Sequence, residues 1–139
     1  MNIDGKNLIM GRLAAIVAKK ALLGEQINIF NCDEIVITGE KSRIFSDFKR
    51  VKEMGTHSTG PHQPKESFRI AKKKIRGMLP YKQSKGSEAL ARIKCFNKVP
   101  EEFKDAKLET IENINVDNTL ISKYVTLKEI SKFLGGKDE

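Results

Sequence analysis

The stretch NIDGKNLIMGRLAAIVAKKALLGEQINIFNCDEIVIT, residues 2–38, decides the fold. Leu13, Ile16, Val17 and Ala21 recur at helical spacing, Arg12, Lys19 and Lys20 fill other faces, and Gly24 stands where such a helix would end. The spacing predicts an amphipathic helix over residues 8–23. Ahead of it, Asn2-Ile3-Asp4 leaves room only for a short strand. Beyond it, residues 26–31 and 34–38 favour strands, and the unbroken run Ile35-Val36-Ile37 suits a strand covered on both faces. Strand, helix, strand is the pattern of a right-handed parallel crossover, and so of an α/β fold.

Working outward, residues 40–54 place Ile44, Phe48 and Val51 on one side of a second helix. The segment GTHSTGPHQP, residues 55–64, has two glycines, two prolines and no period, and reads as a loop. A third helix is predicted over 65–79. Phe68, Ala71, Ile75, Met78 and Leu79 share its apolar side, and Arg69, Lys72, Lys73 and Arg76 an adjoining flank. Pro80 stops it, and Met78 and Leu79 are expected to pin the bend to the core, so that the lysines beyond are held in place. A short helix over 87–91 and a strand over 92–96 follow. Residues 101–118 are acidic and read as loop, and Thr126 with Glu129 forms a capping box for a last helix ended by Gly135-Gly136.

At 139 residues the chain suits one domain, residues 1–139, with 55–86 as a basic loop and helix extension. Apolar residues make up 39% and charged residues 32%, which predicts a compact core under a heavily charged surface. The net charge of +8 is unevenly distributed: residues 1–40 carry −1, 41–98 carry +12 and 99–139 carry −3. A +12 block between acidic ends reads as a dedicated face for a polyanion. Cys32 and Cys95 stand far apart in sequence without a C-x-x-C pattern, and are read as reduced and buried. Arg12 interrupts the early apolar run, and no run reaches the roughly 18 apolar residues of a membrane span. A cytoplasmic protein is expected.

Few residues suggest chemistry. The turn Thr38-Gly39-Glu40-Lys41-Ser42 opens a helix after a strand, but Glu40 separates Gly39 from Lys41 and the first glycine of the nucleotide-binding pattern is missing. A phosphate-handling enzyme at residues 39–42 is therefore the rival reading, and a helix N-terminus there still suits a lone phosphate of a larger polyanion. His57 and His62 have no neighbouring Cys, Asp or Glu to make a metal site or a catalytic base, and Glu101, Glu102 and Asp105 read as a solvated face. No catalytic residue, metal or cofactor is expected. The basic block spans almost sixty residues and sets Tyr81 beside Pro80, where its ring can stack or contact sugar. Nucleic-acid binding is the leading expectation. On charge alone the candidates are Lys41, Arg43, Lys49, Arg50, Arg69, Lys72, Lys73, Lys74 and Arg92. A DNA- or membrane-surface binder is the other alternative, since charge does not distinguish the polyanion.

Ile75-Arg76-Gly77-Met78-Leu79-Pro80, then a short basic turn, Gly86 and Leu90-Ala91-Arg92-Ile93, resembles the signature of the large-subunit ribosomal protein thirteen family. Gly11-Arg12-Leu13-Ala14, Val36-Ile37-Thr38-Gly39-Glu40-Lys41 and Tyr124-Val125-Thr126-Leu127 stand in the family's order, so the resemblance covers nearly the whole chain, in an archaeal form. It implies a three-layer α/β/α fold with a four-stranded, mainly parallel sheet. It also implies a non-catalytic role: a structural constituent of the large ribosomal subunit that binds and stabilises its ribosomal RNA and supports assembly beside neighbouring ribosomal proteins. No homo-oligomer and no membrane are expected. The resemblance carries RNA contact to Arg76, Gly77, Tyr81, Lys82, Lys85 and Gly86, and more loosely to Arg12. The chain begins at its first strand, so contacts made by the N-terminal extension of bacterial members have no counterpart.

Overall fold

The computed structural model describes residues 1–136, and residues 137–139 of the expected domain lie outside them. In chain order the elements are β1 (Asn2–Asp4), α1 (Met10–Leu22), β2 (Ile27–Phe30), a 3-10 turn (Cys32–Glu34), β3 (Val36–Thr38), α2 (Lys41–Glu53), α3 (Ser67–Gly77), α4 (Ser84–Ala91) and β4 (Ile93–Cys95). Three short 3-10 turns between 101 and 118, β5 (Tyr124–Thr126) and α5 (Leu127–Phe133) complete it.

The expected crossover forms: β1 and β2 pair in parallel with Ile3 opposite Ile29, joined by α1. Met10, Leu13, Ala14, Val17, Ala18 and Ala21 are the buried positions of α1, and Ile16 is half-buried beside them. The three alanines leave room for neighbouring backbones, while each fully buried Leu or Val contributes about 1.5–3 kcal/mol. The C-terminal carbonyls of α1 are partly satisfied by Arg92, whose Nη1 donates to the Ala21 carbonyl at 2.9 Å. Leu13 and Val17 meet Ile29, Ile70, Ile75, Ile93 and Ile130 in a core to which all five helices contribute.

The sheet differs from the four-stranded expectation. Three strands form a parallel sheet in the order β1-β2-β4, and β3 pairs antiparallel with β5 in a separate two-stranded sheet. Two local features explain the split. Asn31 takes the left-handed conformation at φ 57°, and the 3-10 turn after it swings the chain off the line of β2. The outer edge of β1 is also occupied, because Asp4 N–H donates to the Glu109 carbonyl and Glu109 N–H to the Asn2 carbonyl, both at 2.9 Å. β3 touches the rest through a bridge between Ile9 and Val36, and its ladder goes to β5.

The acidic segment is mostly irregular, as its composition suggests, yet it is fastened. Phe103 and Phe96 both contact the buried Phe30 ring, with centroids 5.1 and 5.3 Å away. At α5 the capping box is present, Thr126 Oγ1 accepting from Glu129 N–H while Glu129 accepts from Thr126 N–H. Cys32 and Cys95 carry no disulfide. Cys32 is buried, whereas Cys95 is only half-buried because β4 is an edge strand. Cys32 Sγ donates to the Ile29 carbonyl at 3.8 Å, and the neighbouring Cys95 thiol, then burial, pushes the Cys32 thiol well up from its ordinary value.

Candidate nucleic-acid interface

Burial of Ile70, Ala71 and Ile75 fixes the rotation of α3. This helix is therefore part of the core, and of the stretch 55–86 expected to extend from the fold the loop before it and the turn at 78–83 stand outside regular structure. With the rotation set, Arg69, Lys72, Lys73 and Arg76 fall on one flank at helical spacing. Together with Gly60, Pro61 and His62 they line a cleft of about 790 Å³. On the other side, Ile70, Lys73, Lys74 and Gly77 face Asp47, Phe48, Arg50 and Val51 of α2 across a groove of about 460 Å³. The two hollows share Lys73.

Lys73 Nζ donates to the His62 carbonyl at 3.2 Å and ties the loop to α3. Burial first, then the positive charges of Arg76 and Lys74, lower its pKa from the ordinary 10.5. A phosphate brought to this ridge relieves the second of these effects. The surroundings supply little neutralisation. Arg69 pairs with Glu66 at 2.8 Å. Among the described residues, the side chains of Arg12, Arg43, Lys49, Arg50, Lys74, Lys82 and Lys85 have no ion-pair or hydrogen-bond partner.

The turn after α3 is built as expected at one residue and not at another. Leu79 is 4% exposed and anchors the bend, but Met78 is 47% exposed and anchors nothing. A second fastening replaces it: the Arg76 guanidinium lies over the Tyr81 ring, 4.8 Å from its centroid. α4 begins at Ser84, one turn earlier than expected, so that Lys85 and Gly86 are helical and Lys82 alone lies in the turn. Gly86 is buried, and a Cβ there would stand 2.0 Å from the Pro80 carbonyl oxygen. Its glycine is explained by packing. Gly77 is the opposite case: it is exposed, and a Cβ would meet nothing within 4 Å.

The remaining candidates divide. Arg12 is exposed on the first turn of α1, and Arg43 and Lys49 are exposed on α2. Lys41 lies 3.8 Å from Glu129 and 5.5 Å from the Phe45 ring centroid, in a cluster of its own. Arg92 is half-buried and tied to α1, a structural post that its charge did not reveal. The residues missed by sequence are those of the α2 wall and the loop, above all Asp47, Phe48 and Gln63. Their signal was present in the helical spacing of 47, 48 and 51, but nothing in the sequence showed that this face looks at α3.

The turn at 39–42 makes no phosphate cradle. Gly39, at φ +130°, donates its N–H to the Lys123 carbonyl at 2.9 Å, and the Glu40 carboxylate stands at the start of α2 beside Lys123. Among the described residues no three His, Cys, Asp or Glu side chains gather as a metal site, and no helix is long and apolar enough to cross a membrane.

The family model described as Ribosomal protein L13 matches residues 1–102. The chain is similar to large ribosomal subunit protein uL13 of Methanococcoides burtonii, with 41% identity over 135 residues and 97% of each chain covered. It is similar also to uL13 of Picrophilus torridus, 42% identical over 96% of this chain and 95% of the relative. A third relative, uL13 of Archaeoglobus fulgidus, is 40% identical over 96% of this chain and 86% of its own length. With its signature residues running from α3 through the turn and α4 to β4, the chain belongs to the ribosomal protein L13 family.

Proposed function

We infer that the chain is a structural, non-catalytic constituent of the large ribosomal subunit in the cytoplasm, where it binds and stabilises large-subunit ribosomal RNA and supports assembly. Its relatives carry the name of large-subunit proteins. The observation that carries the RNA reading is the cationic ridge of α3, flanked by two hollows, with Lys74 and the neighbouring Arg50 of α2, Lys82 of the turn and Lys85 of α4 left without acidic partners. Counterions held there are released when phosphates replace them, which supplies the driving force. Of the signature residues, Arg76, Tyr81, Lys82 and Lys85 face solvent and suit direct contact, Gly77 lets a backbone come close, and Gly86 shapes the turn. Arg12, Arg43, Lys49, Arg50, Arg69, Lys72, Lys73 and Lys74 extend this surface. Lys41 and Arg92 belong to it least, since neither lines the two hollows and both are held elsewhere, by Glu129 and by the Ala21 carbonyl.

In this reading the chain acts as one domain and as a single copy beside neighbouring ribosomal proteins. The shared core of all five helices supports the first point. The three-layer arrangement belongs to the same reading, with the parallel sheet as its middle layer and residues 55–86, the loop, α3 and the turn beyond it, as the basic RNA-binding region.

The test is binding of RNA-free protein to transcribed large-subunit ribosomal RNA across a salt series. If about six phosphates are neutralised, log K falls against log salt with a slope near −5, at roughly −0.9 per phosphate. A slope near zero would overturn the electrostatic basis.

A further inference from the structure

The groove between α2 and α3 contains a group that a plain phosphate surface would exclude. Asp47 opens onto it together with Arg50, Lys73 and Lys74. Among the described residues its carboxylate has no ion-pair or hydrogen-bond partner, although three cations share the groove. A carboxylate repels phosphate, so its place in a cationic groove calls for a ligand that offers hydrogen-bond donors as well as negative charge. A nucleotide has both, with donors on the base and charge on the backbone.

The groove's shape favours the base inside. Its floor is apolar, made by the half-buried Phe48 and Val51 and by Ile70, which is 1% exposed. A phosphate gains nothing there, whereas a base removed from its stack finds an aromatic ring and aliphatic side chains. A volume of about 460 Å³ lies within the roughly 300–1,000 Å³ of small-ligand sites and has no room for a duplex. Gln63 adds an amide that both donates and accepts. Gly77 lines the groove without a side chain, and a Cβ there would meet nothing within 4 Å. A glycine in a helix costs about 0.5–1 kcal/mol against alanine. Here the chain's own packing does not require one.

We propose that this groove receives one unstacked guanine of the large-subunit ribosomal RNA, its pairing edge on the Asp47 carboxylate and its neighbouring phosphates on Arg50, Lys73 and Lys74. Guanine presents two adjacent donors on that edge, N1–H and N2–H, which match the two carboxylate oxygens. Adenine and cytosine present one amino group each, and uracil one imino group between two acceptors. The inference rests on the ribosomal-RNA reading above and deepens it.

The charge change in Asp47→Asn separates the two roles that Asp47 can have. If the groove held only phosphate, removing a negative charge would tighten binding. If Asp47 holds a base, the substitution weakens binding by about tenfold, the scale of one bidentate base contact. The experiment compares full-length wild type, Asp47→Asn and Gly77→Val on transcribed large-subunit ribosomal RNA. Affinity is read by filter binding over a salt series, and guanine accessibility by kethoxal, which modifies unpaired guanine at N1 and N2. The expected result is a guanine protected by wild type and exposed with both variants, about tenfold weaker binding and an unchanged salt slope for Asp47→Asn, and equal thermal stability of Asp47→Asn and wild type. Equal or tighter binding by Asp47→Asn, or the same kethoxal pattern with all three proteins, would overturn the proposal while leaving ribosomal-RNA binding intact. Failure of wild type itself to bind this RNA would overturn the ribosomal-RNA reading and the guanine site with it.

Discussion

Lys73 stands where the two hollows meet, half-buried and beside Arg76 and Lys74, and its ammonium is disfavoured there even before any ligand arrives. The unfolded chain holds that proton more tightly than the folded one, because the folded pKa lies below 10.5. Below the lowered folded value the penalty is fully present, and it fades as pH rises towards 10.5. Lys73→Met, which keeps the apolar stem and removes the charge, should therefore raise the melting temperature of RNA-free protein at pH 7, with the gain shrinking as pH rises through the lowered folded value towards 10.5. The same variant should bind ribosomal RNA more weakly and flatten the salt slope by about 0.9. A destabilised Lys73→Met at pH 7 would show that the contact to His62 outweighs the repulsion. The two signature glycines make a second pair of opposites at this scale. Gly86→Ala drives a methyl group to 2.0 Å from the Pro80 carbonyl and should destabilise the fold, as read by thermal denaturation. Gly77→Ala meets open space at an ordinary φ and should stabilise the RNA-free protein by about 0.4–1 kcal/mol. Both were legible as signature residues. The sequence could not show that one glycine is needed by the fold and the other is not.

Among the elements, α1 and α3 were legible because each spans three turns, enough for buried and exposed positions to repeat. The strands of this chain have three or four residues, so each face shows one or two side chains and period two has no length in which to declare itself. That is why β5 passed unread, and why β3 was assigned to the parallel sheet although the left-handed Asn31 and the edge contact of Glu109 place it elsewhere. The α2 wall of the groove was hidden for a related reason. Periodicity marks which residues share a face, while the loop before α3 decides what that face meets. The turn after α3 gives the element-scale prediction. Leu79 is its buried anchor, so Leu79→Ser retains every positive charge but frees Lys82 and Lys85 to move. Specific binding should weaken, since ordering costs about 0.5–1.5 kcal/mol for each long side chain fixed at the interface. Affinity for a random RNA of equal length should hold. Filter binding of both RNAs, under conditions where the variant remains folded, checks it, and equal losses on the two would assign Leu79 to core packing alone.

For the whole molecule, the distribution of charge along the chain becomes a distribution of roles. The acidic C-terminal part is used for construction: Glu109 edges β1, Phe103 completes the aromatic cluster, and Glu129 caps α5. The basic middle lines the hollows on either side of α3, where the core holds the helix rigid. A rigid cationic surface loses less entropy on meeting RNA than a loose tail would, and this favours a permanent place in an assembly over transient binding. The central claim is that the chain is such a permanent part. Its most direct test is sedimentation of the tagged protein from cell lysate through a sucrose gradient at high salt. The protein should travel with the large ribosomal subunit and remain there at salt concentrations that strip loosely bound proteins. Recovery at the top of the gradient, or in particles free of large-subunit ribosomal RNA, would contradict the account.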